Sequence, residues 1–177
     1  MELVINLREL HGENLEKKID LFKNAGFTAI DYGLFEMTRD DSIFCGDEYR
    51  EVAQAIRNIC DQKGFPIVQT HAPFQFKNAQ WDDPNVFESV VFPRIVRTLE
   101  ISAIFGAKVV VIHPIHHTTY HSHEEEFFVR NMEYYGRLIP YCKQYGVKVA
   151  VENMWQKDPR RRCIVHDVGS RPEELVR

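Results

Sequence analysis

The 177-residue sequence has no apolar run approaching the roughly 20 residues that a membrane-spanning helix needs. Its longest, Val109-Val110-Val111-Ile112, is the size of one strand, so a membrane partner is not expected. The opening Met1-Glu2-Leu3-Val4-Ile5 has no basic segment ahead of its apolar residues and reads as a first strand, not a signal peptide. Cysteine is sparse: Cys45, Cys60, Cys142 and Cys163 show neither CxxC nor zinc-knuckle spacing. Cys60 and Cys142 fall on helix-like segments as small apolar residues, which suits a reducing, cytoplasmic setting. Basic charge is not in excess. A net charge of −4 leaves no footprint for a polyanion, so no nucleic-acid partner is expected. The local triplet Arg160-Arg161-Arg162 reads as solvated loop. The chain has no P-loop, no GxGxxG and no GxSxG, and so no signature for phosphate-cradling nucleotide binding or a nucleophile elbow.

What is present is a repeat. Gly26, Gly64, Gly106 and Gly146 recur roughly every 40 residues, each closing an amphipathic stretch and opening a β-branched run. The runs are Phe27 to Asp31, Phe65 to His71, Ala107 to His113 and Val147 to Glu152. Glycine just past a helix followed by a strand is the αβ half of a βαβ unit, and serial units build a parallel sheet. The pattern predicts strands over 3–7, 29–35, 67–71, 109–113 and 147–152. Helices lie between them, the last ending at Gly146. Residues 153–170 read as loop, and Ser170-Arg171-Pro172-Glu173 has the form of a capping box opening another helix. Five parallel strands do not close a barrel, which needs about eight. The chain is therefore expected to be a single domain over residues 1–177, the first five βα units of a (β/α)8 TIM barrel cut short at its C-terminus. Open edges and uncovered apolar residues such as Val149 and Val151 predict that the isolated chain self-associates or is poorly soluble, and a homo-oligomer is expected.

Chemistry in parallel α/β folds sits at the carboxyl ends of the strands. Three runs end there on a residue that binds metal or moves protons: His71, His113 and Glu152. Alone, His71 is better explained by a hydrogen bond to a neighbouring strand end. The repeat His71-Ala72-Pro73 and His113-Pro114 on adjacent strands is harder to ascribe to packing. Glu152 ends an apolar run, where an unpartnered carboxylate is costly; metal coordination or proton transfer relieves that cost, and a structural ion pair is the alternative. Trp155 offers an apolar wall for a ligand, and Asn153 a partner for the carboxylate. Asp158 either meets a substrate hydroxyl or caps its turn, and Glu36 lies near the same mouth. The cluster His116, His117, His121 and His123 fits no standard metal spacing and reads as a polar loop.

The stretches 26–31, 70–73, 99–114 and 149–153 together resemble the xylose isomerase-like superfamily of TIM barrels. That group includes sugar-phosphate isomerases and epimerases, hydroxypyruvate isomerase, inosose dehydratase, ketose 3-epimerases and endonuclease IV. The resemblance implies that Glu152 is a metal ligand and catalytic carboxylate, with the remaining ligands (Asp, His and Glu on later strands) beyond Arg177. It implies that His71 and His113 line the substrate pocket in a sugar enzyme, or bind zinc in an endonuclease. Asp158 takes the place of a substrate-contacting glutamate. The implied function is a metal-dependent isomerase or epimerase of a small sugar or sugar phosphate, acting through an enediolate. The implied cofactor is a divalent ion, Mn²⁺ first and Zn²⁺, Mg²⁺ or Co²⁺ as alternatives. A zinc-dependent abasic-site endonuclease, a polyol dehydratase and a non-catalytic sugar-binding barrel are the competing functions.

Overall fold

The structure, a computed structural model, describes residues 3–74, 76–116, 122–158 and 160–177, and of Asn78 the backbone alone. Five strands form one parallel sheet in sequential order: β1 (Val4–Arg8), β2 (Ala29–Gly33), β3 (Ile67–His71), β4 (Val109–Ile112) and β5 (Lys148–Val151). Between them run α1 (Gly12–Asn24) and α2 (Tyr49–Gln62), then the short α3 (Asn78–Asp82) and α4 (Pro84–Val86), and the long α5 (Phe92–Phe105) and α6 (Glu124–Tyr145). The all-α/β, partial-barrel architecture expected from the glycine repeat is the one observed.

Alternation along the strands separates two faces. Leu7, Ile30, Tyr32, Val110 and Ile112 point to the helices and join two apolar cores. One core packs β1 to β3 against α1, α2 and the end of α5; the other packs β4 against α5 and α6. Ile95, Leu99, Ile101 and Phe105 give α5 its buried stripe, each contributing about 1.5–3 kcal/mol on burial. The opposite face carries Asn6, Asp31, Gln69 and His71, and its rows follow the register Asn6–Asp31–Gln69 and Arg8–Gly33–His71–Val111–Ala150. Val149 lies on the helix side and packs into the second core, so it is not among the uncovered residues the sequence suggested. Val151, in the last strand, is 46% exposed.

Local details follow from residue type. Gly106 caps α5 at φ 81°, where a side chain would be strained and would also meet the Arg57 guanidinium at 2.6 Å. Asp83 caps α4, accepting the N–H groups of Asn85 and Val86. A π-turn over Phe87–Val91 precedes Pro93, which has no N–H to give and clashes with a regular preceding turn.

Three expectations are corrected. The second strand stops at Gly33, and Phe35–Thr38 forms a 3₁₀ turn instead. The stretch after β5 is not all loop: β6 (Trp155–Asp158) and β7 (Cys163–His166) form an antiparallel hairpin. The capping box at Ser170 does not form. Pro172 forces Arg171 into extended backbone (φ −99°, ψ 136°), so the helix α7 (Pro172–Val176) begins one residue later with Arg171 at its N-cap. Ser170 instead accepts the Asp167 N–H, and Glu174 reaches back to the Gly169 N–H.

Candidate metal centre

β3 ends on His71, β4 stops one residue before His113, and β5 one residue before Glu152. The parallel register brings all three to the same edge of the sheet, on the face turned from the helices. Glu152 Oε2 lies 3.0 Å from His71 Nε2 and 2.9 Å from His113 Nε2. One ligand atom from each residue lies within 4.8 Å of the others. The two imidazoles share a single carboxylate oxygen, and Oε1 makes no hydrogen bond among the described residues.

The two histidines are held differently. His71 Nδ1 meets Asp31 Oδ2 at 3.4 Å, and Asn6 Nδ2 donates to the same oxygen at 3.2 Å. Burial works against a charged His71, but the two carboxylates on its ring nitrogens outweigh it and raise its pKa. Asp31 behaves conversely: burial pushes its carboxyl up, while hydrogen bonds from His71 and Asn6 bring it below the usual range. His113 stacks on Phe74, with ring centroids 3.9 Å apart and planes 6° from parallel. Its Nδ1 is buried without a partner, and burial drives its pKa down despite Glu152 nearby, leaving the imidazole neutral. Phe35 closes the wall between His71 and Phe74. Gly33 permits this, since a Cβ there would meet the Phe35 ring at 2.5 Å.

The other sequence-derived candidates do not enter this cluster. Trp155 opens β6 opposite His166 and is 61% exposed. Asp158 ends β6 and caps the hairpin turn, Oδ1 accepting the N–H groups of Arg160 and Arg161 at 2.8 and 3.0 Å. Glu36 pairs with Arg39. Of the loop histidines, His117 and His121 lie outside the described residues. His116 pairs with the buried Asp167, and His123 caps α6 without a side-chain hydrogen bond at the cap. Asp31 was missed as a site residue. Its only sequence signal is a charged residue inside the run Ala29-Ile30-Asp31, where period-2 alternation puts it on the non-helical face.

The family model described as xylose isomerase-like TIM barrel matches residues 19–177. The chain belongs to that family. Among solved structures, xylose isomerase-like neighbours superpose over most of the chain. A D-tagatose 3-epimerase-like protein gives a TM-score of 0.64 at 20% identity, covering 99% of this chain and 59% of its own. The 3-keto-D-glucoside 4-epimerase of E. coli gives 0.62 at 13% identity, covering 87% and 57%. Endonuclease IV from Thermus thermophilus gives 0.59 at 19% identity, covering 97% and 56%. The chain thus spans less than two thirds of the length of each, and at these identities the likeness is one of fold. No curated protein matches the sequence. No helix among the described residues is long and apolar enough to cross a membrane.

Proposed function

We propose that this xylose isomerase-like chain carries the catalytic cluster of a metal-dependent isomerase or epimerase of a small sugar or sugar phosphate. The observation that carries the reading is the convergence of His71, His113 and Glu152 on one point. The donor set fits a divalent ion. Metal–ligand bonds of about 2.0–2.2 Å in a tetrahedral site separate neighbouring donors by roughly 3.3 Å, and the Nε2–Oε2 distances of 2.9 and 3.0 Å need only a few tenths of adjustment. Neutral imidazole is the ligating form, and His113 is held neutral by burial. Asp31 holds Nδ1 of His71 and so frees its Nε2. Two nitrogens and a carboxylate suit Mn²⁺, Zn²⁺ or Co²⁺ better than Mg²⁺, and Mn²⁺ is the ion proposed.

A divalent ion held by His71, His113 and Glu152 would polarise a substrate carbonyl and its neighbouring hydroxyl. Glu152 Oε1, free of hydrogen bonds among the described residues, takes the proton α to that carbonyl. The stacked Phe74 and His113 rings and Phe35 exclude water from one side of the site. His71 and His113 also border the space a substrate would occupy, with Trp155 and Asp158 proposed on its outer side. The test is solvent-hydrogen exchange: ketohexoses and their phosphates incubated in D₂O with Mn²⁺ and the protein should gain deuterium beside the carbonyl, seen by NMR after the ion is removed. No exchange with any of them would sink the reading.

The second reading is a zinc-dependent abasic-site endonuclease. The two-imidazole donor set favours it, since zinc accepts nitrogen ligands readily. The net charge of −4 weighs against it, because duplex binding draws on neutralised phosphates. Cleavage of an abasic-site duplex without ketose exchange would select it.

A further inference from the structure

An epimerase or isomerase must both remove a proton and return one, and Glu152 already serves two imidazoles through Oε2. A second imidazole–carboxylate pair stands beside it. Asp167, just past β7, is completely buried, and its Oδ2 lies 2.9 Å from Nδ1 of His116. Its Oδ1 accepts the Val168 N–H at 2.8 Å. A carboxylate so deeply buried is costly unless its partners are fixed, so the loop is built around the pair.

The loop of Asp167 presses against the end of β5. Met154 N–H donates to Val168 C=O at 3.0 Å, and the position of a Cβ on Gly169 would lie 3.8 Å from the Glu152 carbonyl oxygen. His116 sits three residues after His113, in the segment leaving β4. The contact therefore ties the two loops that carry the cluster. His116 is about one third exposed, and its Nε2 has no partner among the described residues. Donation from Nδ1–H to Asp167 fixes the tautomer that leaves a lone pair on Nε2.

Resting on the isomerase reading, we propose that His116, oriented by Asp167, is the second proton carrier of the site, acting directly on substrate and not as a metal ligand. For the epimer whose C–H faces it, Nε2 takes the proton from the carbon next to the carbonyl and Glu152 delivers one to the opposite face; for the other epimer Glu152 takes the proton and the His116 imidazolium delivers one. The bonding pair stays on the substrate as the enediolate, and the imidazolium keeps its Nδ1–H on Asp167 until the proton is returned. Glu152 and His116 then serve opposite steps.

Diethyl pyrocarbonate, which acylates only an unprotonated imidazole nitrogen, tests the placement on the full chain without needing turnover. Modified histidines are mapped by mass spectrometry with and without Zn²⁺. Zn²⁺ should protect His71 and His113 and leave His116 reactive. Asp167→Asn should slow His116 modification several-fold, because an amide N–H can hold Nδ1 bare and move the proton to Nε2; an unchanged melting temperature shows that the fold survives. Protection of His116 by Zn²⁺, or indifference of its reactivity to Asp167→Asn, overturns the proposal. Zn²⁺ protecting none of the three counts against the metal reading alone. In the exchange assay, His116→Asn should lower deuterium uptake by about a hundredfold or more with metal content unchanged, and equal uptake refutes the role.

Discussion

Replacing Glu152 by Gln keeps the shape of the side chain and removes one negative charge from the point where the two imidazoles meet. In the metal-free chain the loss is modest. The hydrogen bond from His71 and the close contact with His113 lose a charged acceptor, and a charged bond is worth about 1.5–3 kcal/mol when buried. The carboxylate is 38% exposed, so screening brings the combined effect to about 1–2 kcal/mol. For metal binding the change is larger. A unit charge about 3 Å from a divalent ion contributes close to 3 kcal/mol even at the dielectric of water, which is roughly a hundredfold in affinity. Calorimetric titration of Mn²⁺ and Zn²⁺ into parent and Glu152→Gln chains measures it, with circular dichroism melts as the control for folding. The account expects at least that hundredfold weakening, with the melting temperature little changed. Equal affinity in the two proteins would refute Glu152 as a ligand, and loss of folding would make it a structural ion pair.

Three further outcomes follow from the same geometry. His113→Asn removes one of the three proposed donors, so metal content of the purified variant should fall well below that of the parent, and full retention would refute His113 as a ligand. In the metal-free state, His71 has a folded pKa above its unfolded value of about 6.5, so its stabilisation is complete below that pH and fades as pH rises through the folded value. The stability difference between parent and His71→Gln should therefore be greatest at the acid end of a pH series. His113 carries the opposite sign, and the parent should lose stability relative to His113→Asn as pH falls below about 6.5. Finally, β1 and β5 are open edges, and Phe128, Met132, Val151 and Leu175 line an apolar groove beside β5. Light scattering of the isolated chain should show self-association, and a monodisperse, cooperatively melting monomer would contradict this.

Much of the fold is legible because its punctuation is local. Gly106 and Gly146 end α5 and α6 in left-handed backbone, and Ile67–His71 appears as a strand with the bounds its β-branched run suggests. His113 and Glu152 lie one residue beyond their strands, which leaves them at the edge the topology requires. What local pattern did not reveal depends on distant partners. The β6–β7 hairpin hides in a polar, arginine-rich stretch whose turn is closed by Asp158. Pro172 overrides the capping signal of Ser170 through the backbone of Arg171. Asp31 and Asp167 acquire meaning only through His71 and His116, which are 40 and 51 residues away along the chain.

X-ray absorption at the zinc edge of the Zn²⁺-loaded chain tests the central claim most directly. Metal–nitrogen bonds of about 2.0–2.1 Å, with the outer-shell scattering of two imidazole rings and one carboxylate oxygen, are what His71, His113 and Glu152 predict. A spectrum with sulfur ligands, or with no imidazole scattering, would contradict it.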